Sequence, residues 1–265
     1  MGPGELEMLL GGTVRSVEDV EVLMEMGLDF GEVSIRDVEE FRENLARYRE
    51  VVKGSRFFYL CHGPQEGDPN NLHSLEHVYL PKLMEIIPFV NALGSKLLTI
   101  HLWMDSRFVT EEAIAYKVGF LRRLLELAIN HNVDLHIENL SETSDDLSPV
   151  FEALPQLGLT MDVGHAQLLT RENRSLEFIR CFPERIRHVH IHDNLGGSSY
   201  KDDLHLPLGQ GIIDFTAVFR ALAAIGFQGT MTVELTTEQI AQCLDYVRNQ
   251  LESSGLYQGR NKHEQ

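Results

Sequence analysis

The chain has 265 residues, 43% of them hydrophobic and 24% charged, with a formal net charge of −17. The length suits one (β/α)8 barrel, for which roughly 250 residues are typical, and leaves little room for a second domain. The acidic balance repels nucleic acid and anionic membranes, and no apolar run approaches the roughly 20 residues of a membrane span.

Short apolar runs rich in β-branched residues alternate with longer stretches of helical periodicity. The first run, Glu7 to Gly12, leads into a helical pattern over Val17 to Met26. Phe30 to Arg36 is followed by Asp37 to Val52, and Phe57 to His62 by Leu72 to Leu93. Lys96 to Leu102 precedes Thr110 to Asn130, and Val133 to Leu140 precedes Leu147 to Leu154. Gly158 to His165, Ile186 to Asp193 and Gly229 to Leu235 are the last three runs. Their helical partners are Leu168 to Cys181, Phe215 to Ile225 and Glu238 to Leu251. Strand–helix alternation implies right-handed crossovers and a parallel sheet, and eight such units predict closure into a single (β/α)8 TIM barrel over residues 1–252. The polar segment 253–265 is expected to be a C-terminal tail. Gly27, Gly94 and Gly226 stand where helices should stop, and Thr236-Thr237-Glu238-Gln239 has the form of a capping box. Cys61, Cys181 and Cys243 are odd in number and far apart, and no basic-then-apolar leader is visible, so a cytoplasmic location is expected.

In such barrels the chemistry sits at the C-terminal strand ends. Polar residues collect there: His62 on strand three, His101 on strand four, Glu138 on strand five, Asp162 and His165 on strand six, His188, His190, His192 and Asp193 on strand seven, and Glu234 on strand eight. The long connection from Asn194 to Gly211 adds Asp203 and His205. Glu138, Asp162 and Glu234 each lie in an apolar strand, and three buried carboxylates at one barrel mouth would repel one another. A divalent cation is the simplest compensation, with imidazoles completing its shell. His188, His190 and His192 share a parity, so they cannot all reach one ion. His190 lies at the depth of the other candidates; His188 is deeper and suits packing. His192 suits either a substrate contact or support of a ligand, and Asp193 could orient a ligand histidine. Trp103 suits either stacking on a sugar face or covering the helices. Arg36, Arg107 and Lys201 are the main cations near the mouth.

These residues resemble the xylose isomerase-like TIM-barrel superfamily, which includes sugar isomerases, sugar epimerases and endonuclease IV. The resemblance rests on Glu138, the Asp-x-x-His of Asp162 and His165, and the His-x-x-Asp of His190 and Asp193. The Asp-x-His-x-x-x-Gly-x-Gly of Asp203, His205, Gly209 and Gly211, and Glu234, complete it. It implies a mononuclear site on Glu138, Asp162, His190 and Glu234, with Glu138 and Glu234 as the catalytic acid/base pair and His165 contacting substrate. It also implies a fuller set, resembling the three-zinc site of endonuclease IV, on His62, His101, Glu138, Asp162, His165, His190, Asp203, His205 and Glu234. Many epimerases carry an arginine before the Gly-x-Gly, where this chain has His205.

Two activities follow. The first is a divalent-metal-dependent sugar or sugar-phosphate isomerase or epimerase, in which the metal binds a carbonyl and adjacent hydroxyl while Glu138 and Glu234 move the proton. The alternative is an endonuclease IV-like multinuclear zinc phosphoesterase, favoured by His62, His101, Asp203 and His205. The cofactor expected is zinc or manganese, as one ion or as two or three. The partner expected is a small carbohydrate or phosphorylated molecule, contacted by His165, His192, Arg36, Trp103 and Lys201. Neither nucleic acid nor membrane is expected as a partner, and a homodimer is expected from related barrels.

Overall fold

A computed structural model describes residues 8–257. The chain runs β1 (Leu9–Val14), α1 (Val17–Glu25), β2 (Phe30–Ser34), α2 (Val38–Val51), β3 (Phe58–His62), α3 (Leu80–Leu93), β4 (Leu97–His101) and α4 (Glu111–Asn130). It continues β5 (Asp134–Glu138), α5 (Ser144–Ala153), β6 (Gly158–Asp162), α6 (Ser175–Cys181), β7 (Ile186–Ile191), α7 (Phe215–Ala224), β8 (Thr230–Val233) and α8 (Thr237–Ser254). Each strand pairs in parallel with the next, and β8 returns to β1, closing the barrel. The expected architecture is therefore present.

Several expected elements differ in extent, two of them for a visible reason. Strand β1 starts later than the run Glu7 to Gly12 and continues to Val14, because Thr13 and Val14 pair with Glu32 and Val33 of β2; Glu7 itself lies outside the described residues. The helix expected over Leu168 to Cys181 begins only at Ser175. A 3-10 turn over His165–Gln167 precedes it, and Leu169 takes a left-handed backbone with φ 55°, which no continuous helix tolerates. Helix α8 ends at Ser254, with Leu256 and Tyr257 buried beyond it; the rest of the polar tail lies outside the described residues.

Caps fix several helix starts. Thr143 and Asp146 form a capping box on α5, and Thr236 and Gln239 form one on α8. Gly27, Gly94 and Gly226 all take positive φ just after helices, as their positions predicted.

The inward-facing rows of the barrel become more polar toward the C-terminal ends. Phe30, Leu60 and Leu97 form an apolar floor with Leu9 and Phe58. Above it lies a hydrogen-bonded layer, in which Thr99 Oγ1 meets Thr160 Oγ1 at 2.8 Å and His188 Nδ1 meets Thr230 Oγ1 at 2.7 Å. Residues two further along each strand form the top layer, because side chains two apart share a face. Thus Leu97, Thr99 and His101 make one row, and Thr160 and Asp162 part of another.

Candidate metal centre

Glu138 ends β5 and is buried, as are Asp162 at the end of β6 and His190 on β7; the Glu234 side chain, just past β8, is 20% exposed. Their ligand atoms all lie within 4.8 Å of one another. His190 Nδ1 stands 3.2 Å from Glu138 Oε1, 3.7 Å from Asp162 Oδ2 and 3.6 Å from Glu234 Oε2. Asp162 Oδ2 and Glu234 Oε2 are buried atoms without a hydrogen-bond partner. Unpartnered carboxylate oxygens converging at one buried point are costly unless a cation meets them. The donor set therefore fits a divalent ion, with three carboxylates and one imidazole.

Two further groups flank this one. Glu138 Oε2 lies 2.8 Å from His62 Nε2 and 3.0 Å from His101 Nε2, so the carboxylate faces both groups. His165, His192, Asp203 and His205 form the other, again with ligand atoms within 4.8 Å of one another. All nine residues of the fuller ligand set meet at one barrel mouth.

The charges are mutually dependent. Burial pushes the Glu138 carboxyl up, but the imidazoles of His190 and His101 hold it well below the usual carboxylate range. Burial pulls His62 down, while its bond to Glu138 lifts it to about 9. His190 is raised well above its ordinary value against burial, chiefly by Glu32 and Glu138. The carboxylates thus favour the protonated forms of His62 and His190. A bound cation would take that compensating role and release protons.

Three supporting residues were not identified in the sequence. Glu32, buried on β2, sets Oε2 at 2.9 Å from His190 Nε2 and 3.1 Å from His188 Nε2. Asn139 pairs its amide with the Asp162 backbone, donating to the carbonyl and accepting from the N–H at 2.9 Å each. Tyr79 stands in a π-helical turn (Leu75–Tyr79) ahead of α3 and donates its hydroxyl to the His101 carbonyl at 2.7 Å.

Asp193 does not orient a ligand histidine. It is buried and accepts the backbone N–H groups of Asn194, Gly209, Gly211 and Ile213, which pins both ends of the long loop. A Cβ at Gly211 would lie 2.2 Å from Asp193 Oδ1, so only glycine lets the backbone approach.

A cavity of about 560 Å³ opens beside the centre, lined by His101, Trp103, Phe108, Leu140, His165, Leu168, Asp203 and neighbours. Trp103 stacks on Phe108 at 5.1 Å and donates its indole N–H to Ser141. Of the expected substrate contacts, Trp103 and His165 line this cavity. Arg36 does not: it lines a separate cleft with Arg15 and Arg47. Lys201 is exposed and outside the lining, although Ser198 and Ser199 belong to it. His192 is fully buried, with Nε2 at 3.2 Å from Asp162 Oδ1.

No described helix is long and apolar enough to cross a membrane. The protein MJ1311 of Methanocaldococcus jannaschii is 29% identical over 157 residues, which is 54% of this chain and 51% of that protein, so the match spans about half of its length. The crystal structure of a D-tagatose 3-epimerase-like protein superposes with a TM-score of 0.82 at 21% identity, covering 94% of this chain and 98% of the other. The structure of the IolI protein with a bound zinc atom superposes with a TM-score of 0.78 at 18% identity, covering 93% and 99%. At these identities the likeness shows a shared fold. Residues 20–253 match the family described as xylose isomerase-like TIM barrel, and the chain belongs to that family.

Proposed function

We propose that this chain is a divalent-metal-dependent isomerase or epimerase of a small carbohydrate. The observation that carries this reading is the convergence of Glu138, Asp162, His190 and Glu234, one residue from the end of each of four consecutive strands, with two buried carboxylate oxygens left unpartnered. The similar fold of a D-tagatose 3-epimerase-like protein, and the zinc in IolI, support it. When bound, a divalent ion supplies Lewis-acid stabilisation of negative charge developing on substrate oxygens. In this reading Glu234, the more open of the two glutamates, takes a proton from a substrate carbon. In the same reading Glu138 returns one, with His62 Nε2 and His101 Nε2 within hydrogen-bonding distance of its carboxylate. Trp103 and Phe108 offer apolar faces to a sugar ring.

The experiment is solvent deuterium exchange into a panel of aldoses and ketoses, with zinc or manganese supplied. Exchange should appear with the wild-type chain and fall about 10²–10⁴-fold in Glu234→Gln. Absence of exchange throughout the panel would defeat the reading.

The second reading, a multinuclear zinc phosphoesterase, is favoured by the His62–His101–Glu138 and His165–His192–Asp203–His205 groups. Neighbouring ions would generate hydroxide and clamp a phosphate ester. Release of phosphate without carbon-bound exchange would select it. A small ester suits it better than DNA, because the described residues of the cavity lining include no lysine or arginine and the chain carries a net charge of −17.

A further inference from the structure

The cavity beside the metal centre is larger and more apolar than a bare sugar requires. Its volume of about 560 Å³ lies in the range that encloses drug-sized ligands, and a single monosaccharide is smaller than that class. Five apolar side chains, Trp103, Phe108, Leu140, Leu168 and Leu169, share the lining with His165 and Asp203 of the candidate ligand set. Phe108 stacks on Trp103 and is still 45% exposed, so aromatic surface is left for a ligand to cover.

Local backbone strain holds two of these side chains in the wall. Leu169 takes φ 55°, a left-handed state unfavourable to a bulky residue and kept only where the surroundings impose it. Here they do. The Leu169 N–H donates to the Gly197 carbonyl at 2.8 Å, and Arg174 donates to the Leu168 and Leu169 carbonyls at 3.3 and 3.2 Å. Strain of this kind gathers at ligand clamps.

Charge points the same way. Among the described residues the lining holds no lysine or arginine, while Glu66 and Asp203 contribute carboxylates. The cations packed nearby are engaged elsewhere. Arg107 forks onto Asp105 at 2.9 and 2.6 Å and reaches the Ser141 carbonyl at 2.8 Å. Arg174 also donates to the Ser141 carbonyl, at 3.1 Å, and Lys117 is buried against Glu66 and the Trp103 carbonyl. A phosphate in this cavity would meet no guanidinium or ammonium and would stand beside like charge.

We infer that the substrate is an unphosphorylated sugar carrying an apolar substituent, an aryl or alkyl group, and that this group packs on the wall of Trp103, Phe108, Leu140, Leu168 and Leu169. The inference rests on the isomerase or epimerase reading, which needs a free carbonyl to acidify the neighbouring C–H. The substituent therefore sits on an oxygen that does not lock that carbonyl as an acetal.

The test compares three forms of each ketohexose in a panel: the free sugar, the benzyl ether of its terminal hydroxyl and the phosphate ester of the same hydroxyl. Trp103 is the chain's only tryptophan, so its fluorescence reports filling of the cavity without turnover. With the zinc-loaded full chain, the benzyl ether of at least one sugar should bind about tenfold or more tightly than the free sugar and the phosphate, the gain expected when an aromatic ring leaves water for an apolar wall. Phe108→Ala, a change at a half-exposed side chain, should cut that preference several-fold. Solvent deuterium exchange should rank the three forms in the same order. Equal or tighter binding of the phosphates, no gain from the benzyl group, or an undiminished preference in Phe108→Ala would overturn the inference. Exchange into the free sugar or the phosphate would then leave the isomerase reading standing alone. Tight binding of a benzyl ether without exchange into any sugar would do the reverse, upholding the apolar subsite and defeating the isomerase reading.

Discussion

Glu32 Oε2 lies 2.9 Å from His190 Nε2, while the other nitrogen of the same ring, Nδ1, faces Glu138, Asp162 and Glu234. A carboxylate on one ring nitrogen fixes the tautomer and raises the basicity of the other. Glu32 is therefore a positioning residue for the candidate ligand His190. Removing such a partner typically costs 10–100-fold in metal affinity. Glu32→Gln keeps an acceptor oxygen but removes the charge beside both imidazoles and should lose about tenfold; Glu32→Ala should lose about a hundredfold. Competition with a chromophoric chelator measures both. Wild-type affinity in the two variants, with thermal unfolding of the metal-free chains as a control for folding, would show that Glu32 serves only to pack the interior.

The candidate ligand residues stand out in the sequence, and Glu32 does not, for a physical reason. Glu138 and Glu234 declare themselves as carboxylates within β-branched strands, where an unpaired charge is costly. Glu32 satisfies the same rule between Gly31 and Val33, but its partners His188 and His190 lie about 156 residues away in sequence. Parity along β7 correctly separated the depths of His188, His190 and His192. It could not show that Asp193 turns to the loop backbone, because that depends on where Gly209 and Gly211 return. The helix expected from Leu168 failed for a similar reason: apolar spacing persists there, while the left-handed Leu169 breaks the backbone.

Gly164 should not tolerate a side chain. Its backbone, with φ −68°, is one that alanine adopts readily, so conformational freedom is not what glycine provides here. The obstacle is His192, whose ring would stand 2.0 Å from a Cβ. Overpacking of this kind costs about 1–3 kcal/mol. Gly164→Ala should lower the unfolding free energy by that amount, read from denaturant unfolding, and the double change Gly164→Ala, His192→Ala should recover most of it. Unchanged stability in the single variant would mean that the ring moves freely.

Lys117 and Glu66 form a buried pair behind the cavity, with Nζ 2.5 Å from Oε1. Lys117 also donates to the Trp103 carbonyl, and Glu66 accepts the Trp103 N–H, so the pair holds both sides of one residue in the cavity wall. Burial pushes Glu66 up and Lys117 down, which marks the desolvation that their mutual attraction must offset. Removing one partner of a buried pair costs about 3–5 kcal/mol, because it strands the other charge. Lys117→Met should be destabilised by that much, and Lys117→Met with Glu66→Gln by clearly less. Equal losses in the single and double variants, measured by urea unfolding, would argue that the pair is not coupled.

Glu142 adds a pH dependence away from the candidate ligands. It is buried, and it accepts the backbone N–H groups of Met104 and Leu140, tying the loop after β4 to the loop after β5. Burial pushes its carboxyl up to about 7, against those two hydrogen bonds, from an ordinary value of 4.5. Between these values the native state keeps a proton that the unfolded chain has released, so stability falls as pH rises through that window. The full effect is about 3 kcal/mol, reached above pH 7 and absent below about 4.5. Glu142→Gln cannot titrate, so the difference in unfolding free energy between wild type and variant isolates this group from all others. That difference should shift by about 3 kcal/mol against the wild type between pH 4.5 and 7.5. A difference independent of pH would mean that the two backbone donors hold Glu142 ionised across the whole range.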